Sequence, residues 1–206
     1  MRLSLILTHQ CDLACSYCYA GEKSARDMPL EVGEQALERA FATLAPDEAL
    51  HLGFFGGEPL LAWERLVPLA QRARAMAAAR GVELDLHLTS NGTHLSDEVL
   101  AEGLALGIRF TVSMDGLPEV HDRFRPRRGG QPSSAAALAA IARLVAADAP
   151  FSVVSVVRPE TVARLGAGAR FLAERGVTSL IPSLDAHADW RPEHSAPLKQ
   201  AIGELR

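Results

Sequence analysis

Residues 2–21 read RLSLILTHQCDLACSYCYAG, and this stretch sets the terms for the rest of the chain. Its first seven residues are a short apolar run rich in Leu and Ile, with the length and flanks of a buried strand. The loop that follows holds all three cysteines of the 206-residue chain, Cys11, Cys15 and Cys18, in the spacing C-x3-C-x2-C. A strand that ends in a loop loaded with reactive side chains predicts an α/β protein whose chemistry sits at the carboxyl ends of its strands.

Outward from this point, strand and helix signals alternate. The helix over 31–44 places Leu37, Ala40, Phe41 and Leu44 on one stripe, and the helix over 62–80 does the same with Leu66, Leu69, Ala70, Ala73 and Ala77, stopping at Gly81. Further strands are predicted over 49–55, 82–88, 108–114, 151–157 and 177–182. Between them fall a helix from the N-cap Ser96, a Gly-, Pro- and Arg-rich loop over 116–132, an alanine-rich helix over 133–147 and a helix over 160–175. The stretch 193–206 reads as a sixth helix that the C-terminus cuts short. Six strand–helix repeats imply a parallel sheet with helical crossovers. The absence of GxGxxG after the first strand weighs against a dinucleotide-binding sheet, so an open or partial barrel is the better fit. No linker or composition shift divides the chain, and residues 1–206 read as one domain.

Composition limits the function classes. Charged residues make up 22% and the net charge is -4, which supplies no electrostatic footprint for nucleic acid or an anionic membrane. The N-terminal apolar run is too short for a signal peptide or a membrane span, so the reading is a cytoplasmic protein with reduced thiols. An odd number of clustered cysteines then points to metal or catalytic work rather than a disulfide framework.

Three readings of the cysteines are open. They could share a helical face as buried small hydrophobes, although Asp12, Ser16 and Gly21 make a poor core helix. They could bind zinc with a histidine such as His9, although structural zinc sites usually pair two knuckles. Or they could hold an iron–sulfur cluster, three thiolates leaving one iron of a four-iron cubane open to a small molecule.

Four polar clusters follow the first four expected strands: HQCDLACSYC (9–18), GGEP (56–59), TSNG (89–92) and SMDG (113–116). In that order they resemble the radical S-adenosylmethionine (SAM) superfamily. More narrowly, LTHQCDLACSYCYAGE, MPLEVGEQAL, FFGGEPLL and SMDGLPEVHDRFR resemble the branch of anaerobic sulfatase-maturing enzymes and ribosomal-peptide maturases, over roughly residues 3–190.

The resemblance implies a partial (β/α)6 barrel of parallel strands, TIM-like, with a [4Fe–4S] cluster held by Cys11, Cys15 and Cys18. SAM on the open iron would be cleaved to methionine and a 5′-deoxyadenosyl radical that takes hydrogen from a peptide or protein side chain. Tyr17 matches the family's aromatic near the adenine. Gly56 and Gly57 would let the backbone approach SAM, and Glu58 would accept from its ammonium. Ser90 and Asn91 suit the ribose or methionyl part, Ser113 and Asp115 the ribose or carboxylate, and Arg125 a carboxylate of SAM or substrate. His121 and Asp122 read as braces of their loop. Asp185, after the sixth strand, is the candidate for substrate contact and catalysis, with Asp189 and Trp190 beside it. A flavodoxin or ferredoxin is the implied electron donor.

The chain departs from that branch in having no cysteine after Cys18, and so no auxiliary-cluster domain. A minimal enzyme, a truncated one and a remnant are the corresponding expectations, the alternative function being a cluster-binding but inactive fragment or a small zinc-binding module.

Overall fold

The computed structural model describes residues 1–21, 23–45 and 47–204. Six strands, β1 (Arg2–Thr8), β2 (Leu50–Gly56), β3 (Leu84–Ser90), β4 (Ile108–Ser113), β5 (Phe151–Val157) and β6 (Leu180–Leu184), form one sheet in sequence order. The pairs β1/β2, β2/β3 and β5/β6 are parallel. Parallel neighbours need a crossover, and helices supply it. These are α1 (Leu30–Thr43), α2 (Trp63–Arg80), α3 (Asp97–Ala105), α4 (Pro118–Phe124), α5 (Ser134–Ala146), α6 (Leu165–Ala173) and α7 (Ser195–Glu204). Among the described residues no helix is long and apolar enough to cross a membrane.

The chain divides into two compact units. The first comprises Met1–Cys11, Ala20–Ser90 and His94–Thr111; the second comprises Asp12–Tyr19, Asn91–Thr93 and the chain from Val112 onward.

In the first unit, period-two alternation puts Leu5 and Leu7 of β1, Leu50, Leu52 and Phe54 of β2, and Leu86 and Leu88 of β3 in the core. The α2 stripe Leu66, Leu69, Ala70, Ala73 and Ala77 is buried as its spacing predicts, and α2 packs on both β3 and α1. Three of those five side chains are alanine, which lets the helix lie close to its neighbours. Gly33 of α1 takes the closest approach, since a Cβ there would meet the Leu69 methyls at 2.8 Å. Gly81 ends α2 in the left-handed conformation at φ 66°. Ser96 caps α3, its Oγ accepting from the Val99 N–H at 3.2 Å.

In the second unit β5 pairs with β6 from Val153↔Leu180 to Val157↔Leu184. Val157, Val162, Leu165 and Ala201 form a buried cluster with Trp190 and Leu198 against it. Three sequence expectations change here. The expected loop 116–132 contains α4, a seven-residue helix started by Pro118 and anchored by buried His121 and Phe124 three residues apart. The helix expected over 160–175 begins as a 3-10 turn, Val162–Arg164, before α6. The sixth strand starts three residues late, because Val177 still closes α6 by donating its N–H to the Leu172 carbonyl at 3.1 Å. The last helix is α7; Leu205 and Arg206 of the expected helix lie outside the described residues.

The α2 stripe yields a stability prediction. Leu66→Ala, at a side chain with no exposed surface, lowers the unfolding free energy by roughly 2–5 kcal/mol in urea denaturation.

Candidate cofactor site

In the first unit the arm that carries Cys11 is held by the loop after β2. Thr8 ends β1 with its hydroxyl donating to Asp27 at 2.5 Å while accepting from the Gln10 N–H at 3.0 Å. The Gly57 N–H donates to the Thr8 carbonyl at 2.8 Å and the Glu58 N–H to the Gln10 carbonyl at 2.7 Å. This approach has no room for side chains. A Cβ on Gly56, at φ 151°, would strike the Thr8 carbonyl, and one on Gly57 would strike the Gln10 carbonyl. The space that the two glycines leave is therefore taken by the backbone of residues 8–10.

Glu58 is only 1% exposed. Its Oε1 accepts from the Leu60 N–H at 3.0 Å, capping the 3-10 turn Pro59–Ala62, and from the Ser90 hydroxyl at 2.8 Å. GGEP and Ser90 thus meet through one buried carboxylate.

In the second unit the segment Asp12–Tyr19 carries Cys15 and Cys18. A turn closed by the Cys18 N–H on the Cys15 carbonyl, at 3.2 Å, hangs both thiols from one short knuckle. The segment is laced to residues 124–128. Ala14 N–H donates to the Pro126 carbonyl at 2.8 Å, Ser16 N–H to that of Phe124 at 2.9 Å, and Arg128 N–H to that of Asp12 at 3.0 Å. Asp12 also accepts from Asn91 Nδ2 at 2.9 Å and from Arg127 at 3.2 Å. Asn91 Oδ1 takes the Thr93 N–H at 2.9 Å.

Asp115 is the centre of this unit's polar structure. Its Oδ2 accepts from the Tyr17 hydroxyl and from Arg125 Nε at 3.1 Å, and its Oδ1 from the Val156 N–H at 2.9 Å. The Arg125 guanidinium lies 5.1 Å from the Tyr17 ring centroid. Burial, with Asp115 adding to it and Arg125 opposing, raises the Tyr17 phenol above its ordinary range, so it stays a donor. Burial works first against the Arg125 charge, but Asp115, Tyr17 and Cys15 together prevail and raise the pKa.

His121 stands behind Asp115. Its Nδ1 accepts the Asp115 N–H at 3.3 Å, so its Nε2 carries the proton and faces Ser133 Oγ at 3.0 Å; that hydroxyl donates to the Arg125 carbonyl at 2.5 Å. Burial first, then Arg125, pull the imidazole down to about 4. Asp122 caps α5 by accepting from the Ser133 and Ser134 N–H groups, both at 2.8 Å.

The structure thus gathers the expected residues into two sets, Gly56, Gly57, Glu58 and Ser90 in one unit, and Tyr17, Asn91, Asp115 and Arg125 in the other. Ser113 ends β4, 8% exposed. Arg125 takes an internal partner, Asp115. Asp185 is ion-paired with Arg158 at 2.6 Å, caps the His187 N–H at 3.0 Å and accepts Trp190 Nε1 on its backbone carbonyl at 2.8 Å. Arg158 itself escapes the sequence reading. It follows β5 and sets its guanidinium 5.1 Å from the Phe124 ring and 5.9 Å from the Tyr17 ring. Its signal was position alone, first after a strand on the rim that carries the other clusters.

The cysteine donors suit a soft metal or an iron–sulfur cluster. None of the three is in a disulfide, and all are partly exposed.

The family model for the radical SAM superfamily matches residues 5–172. The serine-type anaerobic sulfatase-maturating enzyme of Klebsiella aerogenes is 32% identical over 174 residues, 79% of this chain and 43% of that one. The GTP 3′,8-cyclase of Rhodococcus opacus (strain B4) is 32% identical over 214 residues, 98% of this chain and 57% of that one. Among solved structures, native anSMEcpe with bound AdoMet and the Kp18Cys peptide superposes with a TM-score of 0.83 at 20% identity, covering 100% of this chain and 63% of that one. The chain therefore spans about half the length of the curated relatives it matches. The fold is the α/β partial barrel of six parallel strands.

Two predictions follow from the buried polar set. Asp115→Asn leaves the buried Arg125 cation uncompensated and costs roughly 3–5 kcal/mol in chemical denaturation, against about 1 kcal/mol for Tyr17→Phe. His121 has a folded pKa of about 4 against an ordinary 6.5, so its contribution is whole above pH 6.5 and is lost as the pH falls towards 4. That loss amounts to about 3 kcal/mol of unfolding free energy, and the pH dependence of His121→Asn measured in parallel lacks it.

Proposed function

We propose that this chain, which belongs to the radical SAM superfamily, binds a [4Fe–4S] cluster through Cys11, Cys15 and Cys18 and uses it with SAM to modify a peptide or protein side chain. The observation that carries the reading is the cysteine segment itself. Three thiols fall within eight residues; in the first unit the arm of Cys11 is held by GGEP, and in the second unit the knuckle of Cys15 and Cys18 is laced to residues 124–128. The chemistry such a cluster supplies is one-electron cleavage of SAM, yielding methionine and a 5′-deoxyadenosyl radical that takes a hydrogen atom from substrate.

The protein's part is to hold and orient. Glu58 and Ser90 provide a carboxylate and a hydroxyl for the methionyl end of SAM, and Gly56 and Gly57 serve it one step back, by seating the backbone of residues 8–10 that leads to Cys11. Tyr17, Asn91, Ser113, Asp115 and Arg125 form the polar surround of the nucleoside and carboxylate. His121 works one step back, fixing the Asp115 backbone and, through Ser133, Arg125. Arg158, which faces the Tyr17 and Phe124 rings, is ion-paired with Asp185, and this pair is the proposed substrate contact. A flavodoxin or ferredoxin supplies the electron.

The peptide class is supported by the sulfatase-maturating relative and by the peptide bound in the solved neighbour. The GTP 3′,8-cyclase relative favours a second reading, a purine nucleotide substrate on the same chemistry.

The test is anaerobic reconstitution with iron and sulfide, reduction with dithionite and assay of 5′-deoxyadenosine from SAM. Wild type forms the nucleoside and Cys15→Ala does not. A cluster without nucleoside would point to an inactive fragment, and zinc in place of a cluster would end the reading. Stimulation by peptides but not by GTP selects the first substrate class, and the reverse selects the second.

A further inference from the structure

Besides Cys11, the first unit carries a set of metal-ligating side chains on its strands. Parallel register sets His51 of β2 opposite Asp85 of β3, and His87, two residues on, shares the Asp85 face. This is the reverse of the face buried by Leu50, Leu52, Leu86 and Leu88. Opposite His87 the register partner is Gly53. The place its side chain would take belongs to the Phe55 ring, 2.6 Å from where a Cβ would sit, so an apolar wall flanks the polar group.

His51 Nδ1, Asp85 Oδ2 and His87 Nε2 all lie within 4.8 Å of one another. The two nitrogens stand 3.0 and 2.5 Å from the one carboxylate oxygen. Arg109 of β4 places Nη2 at 2.6 Å from both Asp85 oxygens and 3.1 Å from His87 Nε2.

Two imidazole nitrogens and one guanidinium nitrogen thus converge on the two oxygens of Asp85. A divalent ion set among them would take the lone pairs of His51 Nδ1, His87 Nε2 and Asp85 Oδ2 together while Arg109 stays on Oδ1.

We propose that His51, Asp85 and His87 form a binding site for a divalent transition ion of the zinc class, with Arg109 as the outer partner of Asp85. Two imidazoles and a carboxylate suit that class, and a fourth position remains for water or a ligand group. Tetrahedral bonds of about 2.0–2.1 Å put ligand atoms about 3.3 Å apart. The Asp85–His contacts therefore open by less than about 1 Å, within the reach of partly exposed side chains. Arg2, in register with His51 on β1, and Arg109 both oppose a cation. The site is correspondingly weak, with a Kd on the order of micromolar rather than that of a closed structural site. It does not depend on the cysteine reading.

The experiment is zinc titration calorimetry on the full chain carrying Cys11→Ser, Cys15→Ser and Cys18→Ser, so that no thiolate competes. One equivalent binds, His87→Ala weakens it by at least about 10-fold, and Arg109→Gln, which removes the outer partner of Asp85 together with an opposing charge, weakens it less. In the otherwise wild-type chain, which keeps its thiols, the same site reads out with Co2+ as paramagnetically shifted imidazole N–H resonances that His51→Ala/His87→Ala removes. Absence of saturable zinc binding in a chain with native circular dichroism would overturn the proposal. So would binding, or shifted resonances, undiminished by the double histidine change.

Discussion

A carboxylate that has left water must find donors for both its oxygens, and in the second unit Asp115 organises the structure around that need. It draws in a phenol from the cysteine segment, a guanidinium from the end of α4 and a backbone N–H from β5. Only an acceptor-only group can serve three donors at once, which is why the position calls for an acid rather than an amide. Its partners are fixed in turn. His121 holds the Asp115 backbone, Ser133 holds the Arg125 carbonyl, and Asp122 holds the start of α5 on which Ser133 sits. The geometry of Tyr17, next to Cys18 in sequence, is thereby inherited from residues a hundred positions away.

Glu58 does the same work in the first unit at smaller scale. It too follows a strand, is buried, and accepts a hydroxyl from the end of another strand together with a local N–H. The two glycines before it let their strand end lie against residues 8–10, so the arm bearing Cys11 is held by backbone bonds rather than by side chains. Backbone bonds leave the small polar residues around them free to differ in chemistry without moving the arm.

What the sequence made legible followed from periodicity and from punctuation. The α2 stripe, the Gly81 stop and the Ser96 cap all act within a few residues, and each lies where local spacing puts it. Short range failed where tertiary partners decide. Helix α4 is too brief to show a period and owes its existence to the burial of His121 and Phe124. The start of β6 was displaced because Val177, apolar and β-branched, closes α6 instead of opening a strand. At the candidate site the sequence showed which polar and charged residues follow the strands, but not which partners they meet. Arg125 pointed to a ligand carboxylate, and the carboxylate it meets is Asp115. The arginines over 123–128 divide their work: Arg125 is buried, Arg127 pairs with Asp12, and Arg128 contributes its backbone.

That division bears on how substitutions in this site are to be read. Glu58, Asp115 and Arg125 are at once proposed cofactor contacts and internal struts, so their removal lowers stability whatever it does to SAM. A loss of turnover at these positions carries information about catalysis only against the unfolding free energy of the same variant. Tyr17 separates the two more cleanly. Phenylalanine keeps the ring that Arg125 and Arg158 face and removes only the hydroxyl donated to Asp115. The cysteines separate them further, because their thiols hang from turns and arms that backbone hydrogen bonds already hold, and what is lost with a thiol is then its part in holding the proposed cluster.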